Sequence, residues 1–470
     1  MCQLKVIQNG KEQLHAFEGT PLLSDVLRNL GYVVSHPCAG RGTCGKCTVV
    51  LNGQSVLACR TTLQKDAEVI LPDGEEISSV TGSEESGYLT EQVCLCLDIG
   101  TTTLALALVS LDEKRIIRTV TAPNPQRAFG ADVISRIDYC RKNGPSALQK
   151  ALLNEIRKMI SSLCTVFPVD SFDTLYVSGN TTMLHLFLGV DCSSMGVSPY
   201  TPAFLERKTV PAQFLNLANI KTVVCLPGIS AFVGADIVSG MEYVGLPPEG
   251  KYHILLDLGT NAEIALFSRE KILCTAAAAG PCFEGANISC GMSASPGAVC
   301  ACAEDGTCTV IGGGEAKGLC ATGLIDAITL GVRREAIDET GYLEEDPFFV
   351  CEGVCLTGRD IREFQLAKSA IRAAMECLMR REGIGAGDIA HLFVAGGFSA
   401  GLSVKNAVFL GLLPGELADA FCGVNNASLL GTVARACSSG KNPLPLECAQ
   451  YVDLAADPLF SQLFMEYMMF

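Results

Sequence analysis

Hydrophobic and polar positions fall into three successive regimes along the chain. In the first, Gln3–Gln8 and Glu12–Phe17 alternate as two strands joined at Asn9-Gly10, a favoured hairpin turn. Thr20-Pro21 then opens a helix, with Thr20 as N-cap and Pro21 in the first turn. Leu22, Leu23, Val26, Leu27 and Leu30 form its apolar stripe, and Gly31 stops it. Beyond a loop rich in Cys and Gly, Cys47–Leu51 and Ser55–Cys59 read as a second hairpin around Asn52-Gly53.

The second regime, Ser79 to Gln92, is polar, acidic and rich in Ser and Gly, the composition of a flexible linker. In the third, strand-like and helix-like segments alternate, the pattern of an α/β architecture. One unit occurs twice there. Cys94–Asp98 is a strand ending in Asp, followed by Gly100-Thr101-Thr102-Thr103 and a strand Leu104–Ser110. Tyr252–Asp257 likewise ends in Asp, followed by Gly259-Thr260-Asn261 and a strand Glu263–Ser268. The repeat reads as an internal duplication with a break at Pro247-Pro248-Glu249-Gly250. Ser146–Cys164 and Ile361–Arg381 carry apolar residues at helical spacing. The expected division is residues 1–78, a linker 79–92, a first lobe 93–247 and a second lobe 248–470.

Composition narrows the classes of function. The chain has 470 residues, a net charge of −15 and 49% apolar residues. An acidic balance argues against a nucleic-acid partner, because phosphate binding is driven by Lys and Arg. The most apolar stretch, Val93–Leu111, carries Asp98 and a run of threonines, so no membrane span is expected. Met1–Gly10 lacks the basic-then-apolar pattern of a signal peptide. Twenty-four cysteines without export point to a reducing cytoplasm, where they are thiols or metal ligands.

Cys38, Cys44 and Cys47 are spaced C-x5-C-x2-C, with Cys59 after eleven more residues. Three thiolates on a glycine-rich loop and a fourth from a nearby strand can wrap a [2Fe–2S] cluster. Gly40, Gly42 and Gly45 let the backbone approach its sulfides. The alternatives are a structural zinc site or plain thiols, although a four-Cys zinc site ordinarily shows two C-x2-C pairs and only Cys44/Cys47 is one. The segment resembles the [2Fe–2S] ferredoxin family, with a loop one residue longer than the plant-type C-x4-C-x2-C. The other twenty cysteines show no ligand spacing and read as small buried hydrophobes.

A strand ending in Asp before Gly and hydroxyl residues suits nucleotide phosphates: the turn offers N–H and O–H donors, and the Asp holds Mg²⁺ or a water. Each turn leads into a strand rather than a helix, which argues against a Walker loop or a dinucleotide fold. The third zone resembles the actin, hexokinase and heat-shock ATPase superfamily, in which two such loops grip the phosphates of ATP across a cleft. The resemblance places Asp98, Gly100, Thr101, Thr102 and Thr103 in the first phosphate loop. It places Asp257, Gly259, Thr260 and Asn261 in the second, and Gly396, Gly397 and Phe398 of VAGGFS against the adenosine. Ser178-Gly179-Asn180-Thr181-Thr182 resembles the connecting motif at the hinge. Asp98 and Asp257 are the candidates to position metal and water; no general base stands out.

The implied fold class is α/β: an N-terminal β-grasp ferredoxin domain, then a duplicated, two-lobed actin-like (ribonuclease H-like) ATPase. Together with SGNTTMLHLFLGV, SPYTPAF, GPCFEGANISCGM and IREFQLAKSAIRAA, this combination resembles the reductive activators of corrinoid proteins. That resemblance implies an ATP-dependent enzyme that transfers one electron from its [2Fe–2S] cluster to a cob(II)alamin-bearing corrinoid protein, restoring Co(I) for methyl transfer. It also implies Mg²⁺, an upstream low-potential electron donor and a homodimer. Plant-type clusters lie near roughly −400 mV, and free Co(II)/Co(I) corrinoids lie lower still. Each ~59 mV uphill costs one electron about 1.4 kcal/mol, which explains the need for nucleotide. Some members carry further C-terminal cysteine motifs; Leu444–Phe470 holds only Cys448.

Two other classes fit parts of the chain. One is a small-molecule kinase with a fused ferredoxin, for which no separate catalytic Asp is evident. The other is a redox sensor or electron carrier using the ATPase fold as scaffold, against which the intact loops speak. Among single residues, His185 reads as a satisfied buried side chain sooner than a functional one, and His36 as an exposed loop residue. Asp236 and Glu284 are candidates near the nucleotide.

Overall fold

The computed structural model describes residues 2–8, 11–30, 32, 34, 47–71, 79–82, 92–259, 261–397, 399–438 and 444–470. The expected Asn9-Gly10 turn, the helix stop at Gly31 and the linker residues 83–91 lie outside the described residues.

The N-terminal domain has both expected hairpins. Cys2–Gln8 (β1) pairs antiparallel with Lys11–Phe17 (β2), and Thr48–Leu51 (β3) with Gln54–Leu57 (β4). A fifth strand, Ala67–Ile70 (β5), lies between them, parallel to β1 and antiparallel to β3. At four residues it is too short for a period to stand out, and Val69 is its one buried side chain. The helix α1 spans Leu23–Asn29, later than Thr20-Pro21 implies. Pro21 and Leu22 instead pair with Thr61–Leu63: Leu23 N–H donates to Thr61 O at 2.8 Å and Leu63 N–H to Pro21 O at 2.9 Å. Leu22 is consequently exposed, while Leu23, Val26 and Leu27 fill the core with Leu4, Val6, Phe17 and Val49.

The chain divides into two compact units, one running to Asp236 with a segment from Thr432, the other from Ile237 to Gly431 with the tail to Phe470. The border lies ahead of Pro247–Gly250, within the helix Ala235–Val244. Close packing fixes that helix to the second unit. A Cβ on Gly240 would meet Leu255 Cδ2 at 2.8 Å, and one on Gly431 would meet Ser239 O at 1.7 Å.

In the first unit Ser79–Gly82 (β6) pairs antiparallel with Arg115–Pro123. Four residues of the expected linker are therefore strand. An edge strand is held by backbone bonds, so its polar composition hides it from a hydrophobic pattern. Val93–Ile99 (β7), Thr103–Ser110 (β8) and Arg115–Pro123 (β9) form an antiparallel meander. The helices Val133–Asn143 (α2) and Ser146–Val166 (α3) lead to Phe172–Gly179 (β10), parallel to β7. After Thr181–Leu188 (α4) come Lys208–Pro211 (β11) and Ile220–Cys225 (β12), the latter parallel to β10. The sheet order is β11-β12-β10-β7-β8-β9-β6.

After Ala235–Val244 (α5), the second unit repeats the plan. Tyr252–Leu258 (β13), Ala262–Phe267 (β14) and Ile272–Ala277 (β15) form the meander. Two small sheets follow: Ala298–Cys302 (β16), Cys308–Val310 (β17) and Gly318–Leu319 (β18), and the hairpin Phe348–Cys351 (β19) with Val354–Leu356 (β20). The helices are Ala321–Arg333 (α6) and Gly358–Glu382 (α7). Ile389–Ala395 (β21) lies parallel to β13, and Phe421–Val424 (β22) parallel to β21, with Val404–Phe409 (α8) between them. The order β22-β21-β13-β14-β15 matches β12-β10-β7-β8-β9 strand for strand, so the duplication read from the two Asp-Gly-Thr turns extends to five strands of each sheet; the flanking strands differ, β11 and β6 in the first sheet and Ala449–Tyr451 (β23), parallel to β15, in the second. As the helical spacing implies, Leu148, Leu152, Ile156, Met159, Ile160 and Leu163 of α3 and Ile361, Phe364, Ala367, Ile371, Ala374, Met375 and Leu378 of α7 are buried.

Candidate functional site

Cys47 precedes β3, and Cys59 lies in the single turn Ala58–Arg60 after β4. The antiparallel hairpin and the bond from Ala58 N–H to Cys47 O (3.0 Å) bring them together. Their sulfurs lie 3.3 Å apart, and the residues are only 1% and 5% exposed. Two sulfurs in contact inside an apolar core, in the same buried cluster as Val34, Leu63 and Leu71, fit two ligands of one metal cluster. Cys38 and Cys44 lie outside the described residues. Among the described residues no three His, Cys, Asp or Glu side chains are grouped to hold a metal ion, so Cys47 and Cys59 are the described half of the expected set.

The other twenty thiols follow the expectation of burial only in part: Cys94, Cys96, Cys140, Cys192, Cys225, Cys274, Cys282, Cys320 and Cys377 are buried, ten are half-buried, and Cys448 is exposed. No disulfide links any cysteine among the described residues. Burial pushes the thiols of Cys225, Cys274 and Cys282 up to about 12, and those of Cys351 and Cys377 to about 11, which makes them poor nucleophiles.

The first Asp-Gly-Thr turn is built by β7, β8 and β10. Asp98 pairs with Ala105 on one side and Ser178 on the other, at the end of β7. Gly100 is required there: a Cβ would lie 2.7 Å from Thr103 O. Gly179, with φ +152°, passes so close to β7 that a Cβ would meet Ile99 O at 2.7 Å. Asn180 caps α4 by accepting from Met183 N–H (2.9 Å), and its amide donates to Thr101 Oγ1 (3.2 Å). The hinge-like motif thus touches the phosphate-type turn within one unit.

Sequence reading missed the groups behind this turn. Asn124 Nδ2 donates to Gly100 O (2.8 Å), and Asn124 N–H donates to Thr102 O (2.8 Å). The guanidinium of Arg136, fully buried on α2, donates to Thr101 O (2.5 Å) and Gly130 O (3.0 Å). No local motif announces residues that reach back 24 and 35 positions along the chain.

The second turn and the glycine pair come together. Asp257 pairs across the parallel ladder with Ala395, and Gly396 (φ +112°) lies against Leu258, where a Cβ would be 2.6 Å from Leu258 O. Gly259 N–H donates to Asn261 O (3.1 Å), which closes the turn. Gly397 is exposed, with open space around it. Thr260 and Phe398 lie outside the described residues. Loss of surrounding water pushes the Asp257 carboxyl up to about 6. A neighbouring cation would favour its charged form, as a Mg²⁺-bearing role requires.

His185 is structural. Ala203 N–H can only donate, and it donates to Nε2 at 3.0 Å, so the proton sits on Nδ1 and goes to Thr181 O at 2.7 Å. The ring stacks on Phe204 at 4.2 Å, and burial lowers its basicity. Asp236, in the first turn of α5, and Glu284, in the turn Pro281–Glu284, are half-buried. Among the described residues no helix is long and apolar enough to cross a membrane.

Three family models match the chain. They are the 2Fe-2S iron-sulfur cluster binding domain over residues 6–71, the RACo middle region over 93–248, and the C-terminal domain of RACo, the ASKHA domain, over 251–470. The chain is 31% identical over 420 residues to the corrinoid activation enzyme RamQ of Eubacterium limosum, covering 80% of this chain and 70% of that protein. It is 27% identical over 361 residues to the Co(II) methylated amine-specific corrinoid protein reductase of Methanosarcina barkeri, covering 68% of this chain and 66% of that protein. A solved reductive activator for a corrinoid, iron-sulfur protein superposes with a TM-score of 0.72 at 25% identity, covering 99% of this chain and 98% of that one.

Proposed function

The chain belongs to the family of corrinoid activation enzymes, and on that premise we propose that it reduces a cob(II)alamin-bearing corrinoid protein to Co(I) in an ATP-dependent cycle, passing one electron from a [2Fe–2S] cluster. The observation that carries the reading is the union, on one chain, of a buried Cys47–Cys59 thiol pair with two sheets that share a five-strand order, each with an Asp-bearing strand before a glycine turn. An electron carrier alone has no use for the duplicated sheets, and a kinase alone has none for the thiol pair.

In this reading Cys38, Cys44, Cys47 and Cys59 hold the cluster, which when bound supplies the electron. Gly100, Thr101, Thr102 and Thr103 of the first turn and Gly259, Thr260 and Asn261 of the second hold the phosphates of ATP. Asp98 and Asp257 hold Mg²⁺ and orient water. Gly396, Gly397 and Phe398 take the adenosine. Residues 1–78 form the electron carrier, and 93–247 and 248–470 form the nucleotide-binding lobes. The stretch 79–92 connects them, its strand Ser79–Gly82 lying on the first lobe's sheet. The corrinoid protein of a methyltransferase system is the electron acceptor, a low-potential protein is the donor, and the working form is a cytoplasmic homodimer.

The test mixes reduced protein with a Co(II) corrinoid methyl carrier, with and without ATP, and follows the cobalt absorption bands. Co(I) bands that grow only with ATP are expected. Nucleotide turnover without Co(I) overturns the reading.

A further inference from the structure

We propose that Arg136 is a positioning residue for the nucleotide: its buried guanidinium holds the Gly100–Thr103 turn from behind and sets a fixed positive charge beneath the bound phosphates. The proposal rests on the reading of that turn as a phosphate loop.

The local sequence aims Arg136 inward. Asp132 caps α2 by accepting from Ser135 N–H at 2.7 Å, and the Ser135 hydroxyl accepts from Asp132 N–H at 3.2 Å, the reciprocal bonds of a capping box. Gly130 packs under this cap, where a Cβ would lie 2.9 Å from the Ser135 carbonyl carbon. Arg136, one turn into the helix, has no exposed surface. Its Nε donates to Gly130 O at 3.0 Å. One terminal nitrogen donates to Thr101 O at 2.5 Å, and the other reaches Gln126 Oε1 at 3.4 Å and Met183 Sδ at 3.1 Å. One side chain thus joins the turn, the segment before α2, and α4.

The consequence for the turn follows from peptide geometry. Asn124 holds the carbonyls of Gly100 and Thr102, and Arg136 holds that of Thr101. In a planar trans peptide the N–H points opposite to the C=O. The amides of Thr101, Thr102 and Thr103 are therefore turned away from the groups that hold the preceding carbonyls, which keeps Asn124 and Arg136 off the N–H side of each peptide, the side an anion uses. Arginine stays protonated at any working pH, and a charge in a water-poor interior is screened far less than one at the surface. The hydrogen bonds fix the shape of the turn, and the charge adds attraction that grows with the charge of the ligand.

The test measures binding of ATP and of adenosine, each by competition with a fluorescent ATP analogue, to the full chain carrying wild-type Arg136, Arg136→Lys or Arg136→Met. Arg136→Met is expected to weaken ATP about 10- to 100-fold, the range for losing a hydrogen bond to a charged group. Adenosine, which has no phosphate, is expected to stay within about twofold. Arg136→Lys keeps the charge without the fork and is expected to fall between. If Arg136→Met does not fold, the Lys variant decides: a selective loss of ATP supports the proposal, and an equal loss of ATP and adenosine overturns it as a purely structural effect. Unchanged ATP affinity in a folded Arg136→Met also overturns it. A wild-type chain that binds no ATP overturns the phosphate-loop reading itself, a result separable from the others.

Discussion

The sulfurs of Cys47 and Cys59 approach to 3.3 Å although eleven residues separate them in the chain. The hairpin of β3 and β4 and the bond from Ala58 N–H to Cys47 O close that distance through backbone hydrogen bonds. In the proposed role as cluster ligands, a thiol pair placed by the backbone would lower the ordering cost of binding.

Cys59→Ser is expected to abolish the visible absorption of a reconstituted cluster and electron transfer to the corrinoid protein. The effect should exceed the roughly 10- to 100-fold loss typical when only a ligand's outer partner is changed. ATP binding is expected to persist. Absorption spectra and nucleotide titration of one preparation check both halves.

Gly396 and Gly397 are neighbours with opposite expected tolerance. Gly396 has φ +112° and no room for a Cβ beside Leu258 O, whereas Gly397 has open space. Gly396→Ala is expected to cost on the order of 1–3 kcal/mol and to weaken nucleotide binding. Gly397→Ala should stay within about 0.5 kcal/mol. Thermal melts of the two variants side by side would show whether the difference exists.

His185→Ala removes two buried hydrogen bonds and the stack on Phe204. A loss of roughly 2–4 kcal/mol in stability is expected. Its kcat at a temperature where the variant is folded should match wild type. A selective loss of kcat in a fully folded variant would instead give the ring a direct part in turnover.

His253, 4% exposed on β13, is held down to about 4 by burial and by the neighbouring His391. The rings of Phe267 and Phe393 also pack on it. Its folded value lies below the unfolded one of about 6.5, so between these values the unfolded chain binds more protons. Its neutral form therefore contributes fully above about pH 6.5, and stability is lost as pH falls towards 4, by up to about 3 kcal/mol. His253→Phe is expected to flatten the fall in denaturation midpoint between pH 6.5 and 4. An equally steep fall in the variant places the acid sensitivity elsewhere.

The chemistry of this protein was legible from the chain because it is written in short spacings. C-x5-C-x2-C with a following Cys, and two Asp-Gly-Thr turns, need only a few consecutive residues to point to a cluster and to nucleotide phosphates. The amphipathic helices α3 and α7 were legible for the same reason, since helical contacts fall three and four residues apart. The tertiary structure decided what depends on partners far along the chain. It inserted Ala67–Ile70 between the hairpins, drew Ser79–Gly82 onto the edge of the first sheet and gave five strands of each sheet the same order. It also set Asn124 and Arg136 behind the Thr101 turn. Pairing of this kind is carried by backbone amides and by single long side chains, which leave no periodic trace in the order of residues.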